Sequence, residues 1–247
     1  MSSSWAIDAL DSGARPSAGG ATTKKLDQWI CWWSLPIFYH LFGFIFVYLA
    51  RLMPPPAPGL TTDQIVEFIR ANGDKLPLAW VLLSLTLGTA SLSSGLIMVQ
   101  MKRMSVSPVM AYAYMAALSV AALPGCLLCG LLFSIAAFRP DRDPQTIALL
   151  YDMGLLSFVG SLGCFVAQYL VFAVAIFLDK NKIFPKWLAY MSIWGAVTEL
   201  VAVPIWIFRS GPYAWNGYIS FYLGTLIFVT WEFFLIVSLF KAIRRQP

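Results

Sequence analysis

The last quarter of the chain, residues 187–245, reads WLAYMSIWGAVTELVAVPIWIFRSGPYAWNGYISFYLGTLIFVTWEFFLIVSLFKAIRR. It contains two long apolar segments joined by a short turn at Arg209–Tyr213. Each segment carries one carboxyl group far from its ends, Glu199 in the first and Glu232 in the second. Apolar runs of this length are typical of helices that cross a membrane. The stretch therefore predicts a transmembrane helical hairpin that buries two acids.

Composition extends this prediction to the whole chain. Of its 247 residues, 59% are hydrophobic and only 12% are charged, whereas about 25% are charged in soluble domains. Four more apolar segments precede the hairpin, over residues 27–52, 77–101, 108–138 and 144–178. We expect an all-α polytopic membrane protein: a polar tail over residues 1–27, then one domain of six transmembrane helices over residues 28–245.

The distribution of basic residues predicts the orientation. The tail, the loops after the second and fourth helices, and the C-terminus hold 11 of the 17 Lys and Arg residues. Because basic loops stay in the cytoplasm, both termini are expected there. The polar composition of residues 1–23 cannot order itself. We therefore expect the tail to contact another subunit or the cytoplasmic loops.

Several local signals predict the ends and packing of the helices. Thr61 begins a short amphipathic surface helix near residues 61–70, and Asp143 is placed to cap the fourth transmembrane helix. Pro124 and the glycine after it predict a kink in the third transmembrane helix. Small residues on the second helix predict close packing of that face against another helix: Ser84, Gly88, Ser91 and Gly95.

Depth in the bilayer brings four polar residues together. At about 1.5 Å per residue, His40 lies about 16 Å from the end of its helix, and Gln168 lies at a similar depth. Glu199 and Glu232 lie about 15 Å and 13–14 Å from theirs, in a bilayer core about 30 Å thick. Ionisable groups at this depth are functional-site hypotheses by default. The sequence thus predicts a ligand-binding site shared by these four residues.

The sequence predicts the direction in which one acid faces more clearly than that of the other. Ser192 and Gly195 share a face with Glu199, which favours an inward position for that acid. The neighbours of Glu232 one turn away are Phe228 and Ile236, which indicate no direction. The sequence therefore favours Glu199 over Glu232 as the functional acid.

Other kinds of site are disfavoured. The excess positive charge lies in loops, and the chain has no basic helix face or phosphate-binding glycine motif, so no nucleic-acid partner is predicted. Cys126 and Cys129 have no second pair to complete a metal site. One histidine with two glutamates is a poor metal signature. No metal or cofactor is predicted.

Three functions remain open. The favoured one is binding or passage of a lipophilic small molecule at the polar midplane site. One alternative is an enzyme that uses these groups as acid and base on a membrane-dissolved substrate. The other is a structural subunit of a membrane complex or homo-oligomer, in which the polar residues only join helices. Membrane lipids are expected partners in every case.

Three loop motifs carry a family resemblance: the proline-rich run Pro54–Pro58, the triplet Phe138–Pro140, and the segment Gly211–Gly217. With them, the chain resembles uncharacterised bacterial six-helix integral membrane proteins. The resemblance implies a bacterial inner membrane location. It implies no activity and transfers no site residue.

Overall fold

The computed structural model describes residues 18–121, 123–139 and 141–246, and within them every regular element is a helix. Five helical stretches are long and apolar enough to cross a membrane. The chain is therefore an all-α polytopic membrane protein, as the sequence predicts. The five stretches are Lys25–Leu49, Lys75–Met101, Val109–Phe138, Lys186–Trp206 and Tyr218–Arg244.

Nine α-helices are described in these residues. They are α1 (Ala18–Phe44), α2 (Thr62–Ala71), α3 (Lys75–Met101), α4 (Val109–Ala121), α5 (Leu123–Phe138), α6 (Pro144–Val159), α7 (Phe165–Leu178), α8 (Lys186–Ala202) and α9 (Gly224–Arg244). Short π-helical segments follow α1 and precede α9, at Ile45–Leu49 and Tyr218–Leu223.

The first helix begins earlier than predicted. It begins at Ala18, and the candidate span within it begins at Lys25, near the predicted boundary at residue 27. Lys25 and Gln28 hydrogen-bond to Gln246 and tie this part of the helix to the C-terminus. Residues 1–17 lie outside the described part of the chain, and the predicted contacts of the tail lie there with them.

The predicted fourth membrane helix, residues 144–178, is two α-helices of 16 and 14 residues, α6 and α7. The 3₁₀ segment Gly160–Cys164 joins them. Neither half alone is long enough to span a membrane. The first half, α6, packs along α5, and the second, α7, packs along α4 and α8. The predicted fourth crossing is therefore not among the five candidate spans, and its interruption was not predicted. The indole of Trp206 fills the space that a side chain at position 160 would occupy.

The predicted kink in the third membrane helix stays a prediction, because residue 122, between α4 and α5, lies outside the described residues. Gly125 lies in the first turn of α5. A Cβ at this position would overlap the Oγ of Ser161. The glycine therefore lets α5 approach the 3₁₀ segment between α6 and α7.

One end of the bundle gathers both described chain ends and two loops. The Nζ of Lys25 donates to the carbonyl of Gln246 at 3.0 Å. The backbone N–H of Ser105, after α3, donates to the carboxylate of Asp179, after α7, at 2.8 Å. Because chain ends on the same side require an even number of crossings, this arrangement agrees with six. We call it the basic end, since the basic loops lie here.

The opposite end carries α2 and two of the loop motifs. Thr61 caps the N-terminus of α2, as predicted. Its Oγ1 accepts from the N–H of Gln64, and the Gln64 side chain accepts from the N–H of Thr61. The indole of Trp215 donates to the carbonyl of Pro56 at 2.7 Å. The two motif loops are thus in contact.

The small-residue face of α3 does not pack as predicted. A Cβ on Gly88 or Gly95 would meet nothing within 4 Å. Ser84 and Ser91 are exposed, and their hydroxyls donate to carbonyls of α3 itself. Within the described chain no helix packs closely against this face, because α3 buries a different face that includes Leu83 and Leu87.

Candidate functional site: a buried polar layer

Both acids of the hairpin face the interior. The exposed fraction is 2% for Glu199 and 8% for Glu232. On α8, Ser192 and Gly195 are buried on the same face as Glu199, as predicted. On α9, burial of Glu232 removes the ambiguity that its sequence neighbours left. The two acids therefore both belong to the bundle interior.

Glu232 is bound by a tyrosine from α1. The hydroxyl of Tyr39 donates to the Oε1 of Glu232 at 2.6 Å. The Oε2 of Glu232 is buried and has no hydrogen-bond partner within the described residues. Tyr39 precedes His40 directly, so its depth was available from the sequence. Its role was missed because a tyrosine in an apolar helix gives no ionisable signal.

His40 does not join this group. It is exposed on the outer surface of α1, and its Nδ1 lies 2.6 Å from the carbonyl of Pro36, one turn away. Consecutive residues on a helix point about 100° apart, so an inward Tyr39 turns His40 outward. The prediction that His40 shares the site is corrected. On this outer surface, the imidazole is also separated from the buried carboxyl groups of Glu199 and Glu232.

Gln168 meets a second unpredicted tyrosine. Its Nε2 donates to the hydroxyl of Tyr114, on α4, at 3.0 Å. Both side chains are buried, with exposed fractions of 2% and 0%. The Oε1 of Gln168 has no partner among the described groups. The predicted inward position of Gln168 is confirmed, and the contact joins α7 to α4.

Tyr169 lies between these contacts. It is fully buried, and its hydroxyl makes no hydrogen bond to any described residue. Its ring packs perpendicular to Trp231 with centroids 4.9 Å apart. A Cβ at Gly195 would lie 2.9 Å from the same ring, so α8 can approach only with glycine there. The hydroxyl lies within electrostatic range of both Glu199 and Glu232.

We call this set the polar layer. It consists of Tyr39, Tyr114, Gln168, Tyr169, Glu199 and Glu232, supplied by α1, α4, α7, α8 and α9. Glu232 lies within electrostatic range of all three tyrosine hydroxyls. Of the four predicted site residues, three belong to the layer. The three tyrosines are additions that only the packing of the helices reveals.

The layer contains two acids and no base. Within the described residues, no Lys, Arg or His hydrogen-bonds to Glu199 or Glu232, and one oxygen of each carboxyl is buried without a partner. A buried carboxylate without a cation is strongly disfavoured. Two states are therefore chemically reasonable, one with protonated carboxyls and one with a bound cation.

Irregular backbone lies close to these groups. Gln168 is in the first turn of α7, directly after the 3₁₀ segment Gly160–Cys164, and Glu199 is in the last turn of α8, before the 3₁₀ segment Val203–Trp206. The indole of Trp206 donates to the carbonyl of Gly160 at 3.3 Å and joins the two segments. Such interruptions often mark functional positions in membrane helices.

Aromatic rings fill the space around the layer, and two cavities of the described chain lie elsewhere. One, of about 420 Å³, is at the surface between α2 and the start of α6. The other, of about 180 Å³, lies between α3 and α5 beside Trp80 and Gly130. Neither is lined by a residue of the layer.

The fold and the polar layer define a polytopic α-helical membrane protein with two carboxyl groups buried in its interior. No protein-family model, curated protein or solved structure matches the chain. The resemblance to bacterial six-helix membrane proteins thus stays a prediction.

Proposed function

We propose that this protein resides in a bacterial inner membrane and binds or passes a lipophilic small molecule at the polar layer. The observation that carries the proposal is the group of four buried polar atoms without hydrogen-bond partners among the described residues. They are Gln168 Oε1, Tyr169 Oη, Glu199 Oε2 and Glu232 Oε2.

The energetics favour a ligand. Each buried polar atom left unpaired costs about 1–3 kcal/mol, and native proteins pair the great majority of them. Several such atoms in one layer therefore indicate a missing partner. A lipophilic body suits the aromatic surroundings, and it can reach the layer from the bilayer without crossing water.

Entry from the bilayer requires a path between the helices. The 3₁₀ segments beside Gln168 and Glu199 are the nearest places where the helices lack regular α-helical hydrogen bonding. Movement there alters the positions of these two side chains without unfolding α7 or α8. Discontinuous helices serve in this way at midplane sites of transporters.

The test is mass spectrometry of lipophilic molecules that co-purify with the protein from its native membrane. We expect a species that is enriched with the wild type and lost with Glu232→Gln and Glu199→Gln. Glu67→Gln is the matched control, since Glu67 is an exposed acid on the surface helix α2. Equal recovery of every lipophile from all four proteins would contradict the proposal.

A structural role is the main alternative, and specific contacts favour it. The Tyr39–Glu232 and Gln168–Tyr114 bonds each join two helices. If the layer only joins helices, Glu199→Gln and Glu232→Gln leave binding and thermal stability unchanged, whereas Glu→Leu at either position destabilises. Glutamine keeps the hydrogen-bonding capacity and removes the charge, so this pair of variants separates the two roles.

An acid–base enzyme is the remaining alternative and would use the same carboxyl groups. It predicts that the co-purifying lipophile is converted to a new species by the wild type and accumulates unchanged on Glu232→Gln. Incubation of the purified protein with that lipophile, followed by mass spectrometry, distinguishes an enzyme from a binding protein.

A further inference from the structure

We propose that the ligand of the polar layer carries a primary ammonium group, which binds in exchange for one proton of Glu232. This inference rests on the proposed function and specifies the chemistry of the ligand. It follows from the charges of the layer, from its hydrogen-bonding groups, and from the unequal surroundings of the two acids.

The first step concerns charge. Glu199 and Glu232 are buried, and within the described chain no basic side chain contacts them. An empty layer is neutral only when both carboxyl groups keep their protons. A cation can enter without leaving net charge in the bilayer only if one proton departs. Binding of a cation and release of a proton are therefore coupled.

The second step concerns hydrogen bonds. Three of the four unpaired atoms are carboxyl or amide oxygens: Gln168 Oε1, Glu199 Oε2 and Glu232 Oε2. A primary ammonium group offers three N–H donors and no acceptor. It can satisfy acceptors of this kind, whereas a quaternary ammonium supplies charge without donors. An alcohol supplies a single donor and no charge.

The third step assigns the proton to Glu232. The groups that interact with it are Tyr39 on α1, Tyr114 on α4 and Tyr169 on α7. Tyr39 already donates to its Oε1 at 2.6 Å, and hydrogen bonds to an ionised acceptor are the stronger kind.

Glu199 has fewer partners. Within the described residues no side chain donates a hydrogen bond to its carboxyl group, and its Oε2 is buried. Glu199 therefore keeps its proton, and Glu232 becomes the carboxylate.

The exchange balances in atoms and charge. The O–H bond of the Glu232 carboxyl breaks, the electron pair stays on the carboxylate, and the proton passes to water. The ammonium enters with all of its N–H bonds intact. The layer is neutral before and after, and one proton appears in solution for each cation bound.

The probes are 2-phenylethylammonium and 2-phenylethanol, which have the same lipophilic body and differ in the polar group. Binding to the full chain in nanodiscs is measured by calorimetry, and proton release by a pH indicator in weak buffer. We expect the ammonium to bind more tightly than the alcohol and to release one proton. Its affinity should rise about tenfold per pH unit on the acidic side, as for exchange of one proton.

Three variants locate the effect. Glu232→Gln is expected to abolish proton release and to weaken ammonium binding at least tenfold. Glu199→Gln is expected to weaken ammonium binding but to keep the release of one proton for each cation that still binds. Tyr39→Phe keeps the carboxyl group and loses the donor that stabilises its charged form, so its binding curve should shift to higher pH. This variant also serves as the test if Glu232→Gln fails to fold.

Ammonium binding without proton release, or release that persists in Glu232→Gln, would overturn the inference. So would equal binding of ammonium and alcohol, or no binding of either probe. If a co-purified lipophile depends on both acids but the ammonium does not bind, the proposed function stands and this inference fails. If no lipophile depends on them and neither probe binds, both fail.

Discussion

At the scale of single residues, the hydrogen bond between Tyr39 and Glu232 is the main contact that the tertiary structure adds to the predicted site. It joins α1 to α9 inside the bilayer, and its 2.6 Å length is typical of an O–H donor and a carboxyl acceptor. Removal of the donor leaves both oxygens of Glu232 without a partner from the described residues. The contact therefore contributes to stability whether or not a ligand binds.

The prediction is that Tyr39→Phe lowers the free energy of unfolding by about 1–3 kcal/mol. Thermal unfolding in detergent measures the change. The control is Tyr190→Phe, because Tyr190 is 61% exposed and makes no hydrogen bond through its hydroxyl within the described chain. A loss no greater than that of the control would show that the Tyr39 hydroxyl contributes nothing to stability.

At the scale of elements, glycine decides how closely α7 and α8 approach. Gly195 on α8 faces the ring of Tyr169 on α7, and a Cβ there would lie 2.9 Å from ring atoms. The ring cannot retreat freely, because Trp231 packs against it and its indole donates to the Oγ of Ser192 at 2.8 Å. Close approach of the two helices thus positions Tyr169 in the polar layer.

Gly195→Ala should destabilise the protein by about 1–3 kcal/mol, as overpacking of a filled interior does. It should also weaken ligand binding, since Tyr169 must move. Gly88→Ala on α3 is the matched control and should not destabilise, because a Cβ there meets nothing within 4 Å. Thermal unfolding of both variants gives the comparison. Equal stability of the two would mean that the ring of Tyr169 yields easily.

The loop that follows α7 leads to a second prediction at the scale of elements. The buried carboxylate of Asp179 accepts from the backbone N–H groups of Ser105, Asn181 and Ile183, at 2.8–2.9 Å. Asp179→Asn places an amide donor among these donors and should destabilise by about 1–3 kcal/mol.

Asp141→Asn is the control for this change, since Asp141 is exposed in a loop. Thermal unfolding measures both variants. If the two lose the same stability, the carboxylate does not hold the loops after α3 and α7 together.

At the scale of the whole molecule, the two ends of the bundle differ in charge and should face different compartments. The basic end carries most of the Lys and Arg residues, which predicts a cytoplasmic position. The other end carries α2 and the contact between Trp215 and Pro56. The structure shows which loops share an end, and the charge rule assigns each end to a side.

Single cysteines at Glu67 and Lys180 test this orientation, because both positions are exposed and lie at opposite ends. The four native cysteines are first replaced by serine or alanine. A membrane-impermeant thiol reagent should label position 67 in intact cells and position 180 only after the inner membrane is opened. The reverse pattern would contradict the predicted orientation.

The sequence by itself determined the membrane class and five of the six predicted spans, and it predicted the depth of the polar residues. Depth follows from a constant rise per residue, and a span follows from a continuous apolar run, so both are local properties. The caps at Thr61 and Asp143 were also predictable, since each side chain bonds to backbone only three residues away. These features need no knowledge of the neighbouring helices.

Only the tertiary structure decided which face of each helix is buried. Tyr39 rather than His40 meets Glu232, and the small residues of α3 face outward while those beside Glu199 face inward. A helix that is apolar all round has a weak pattern of its own to indicate its buried face. Its rotation is set by the shapes of the helices packed around it. The composition of the polar layer was therefore beyond the reach of spacing and depth alone.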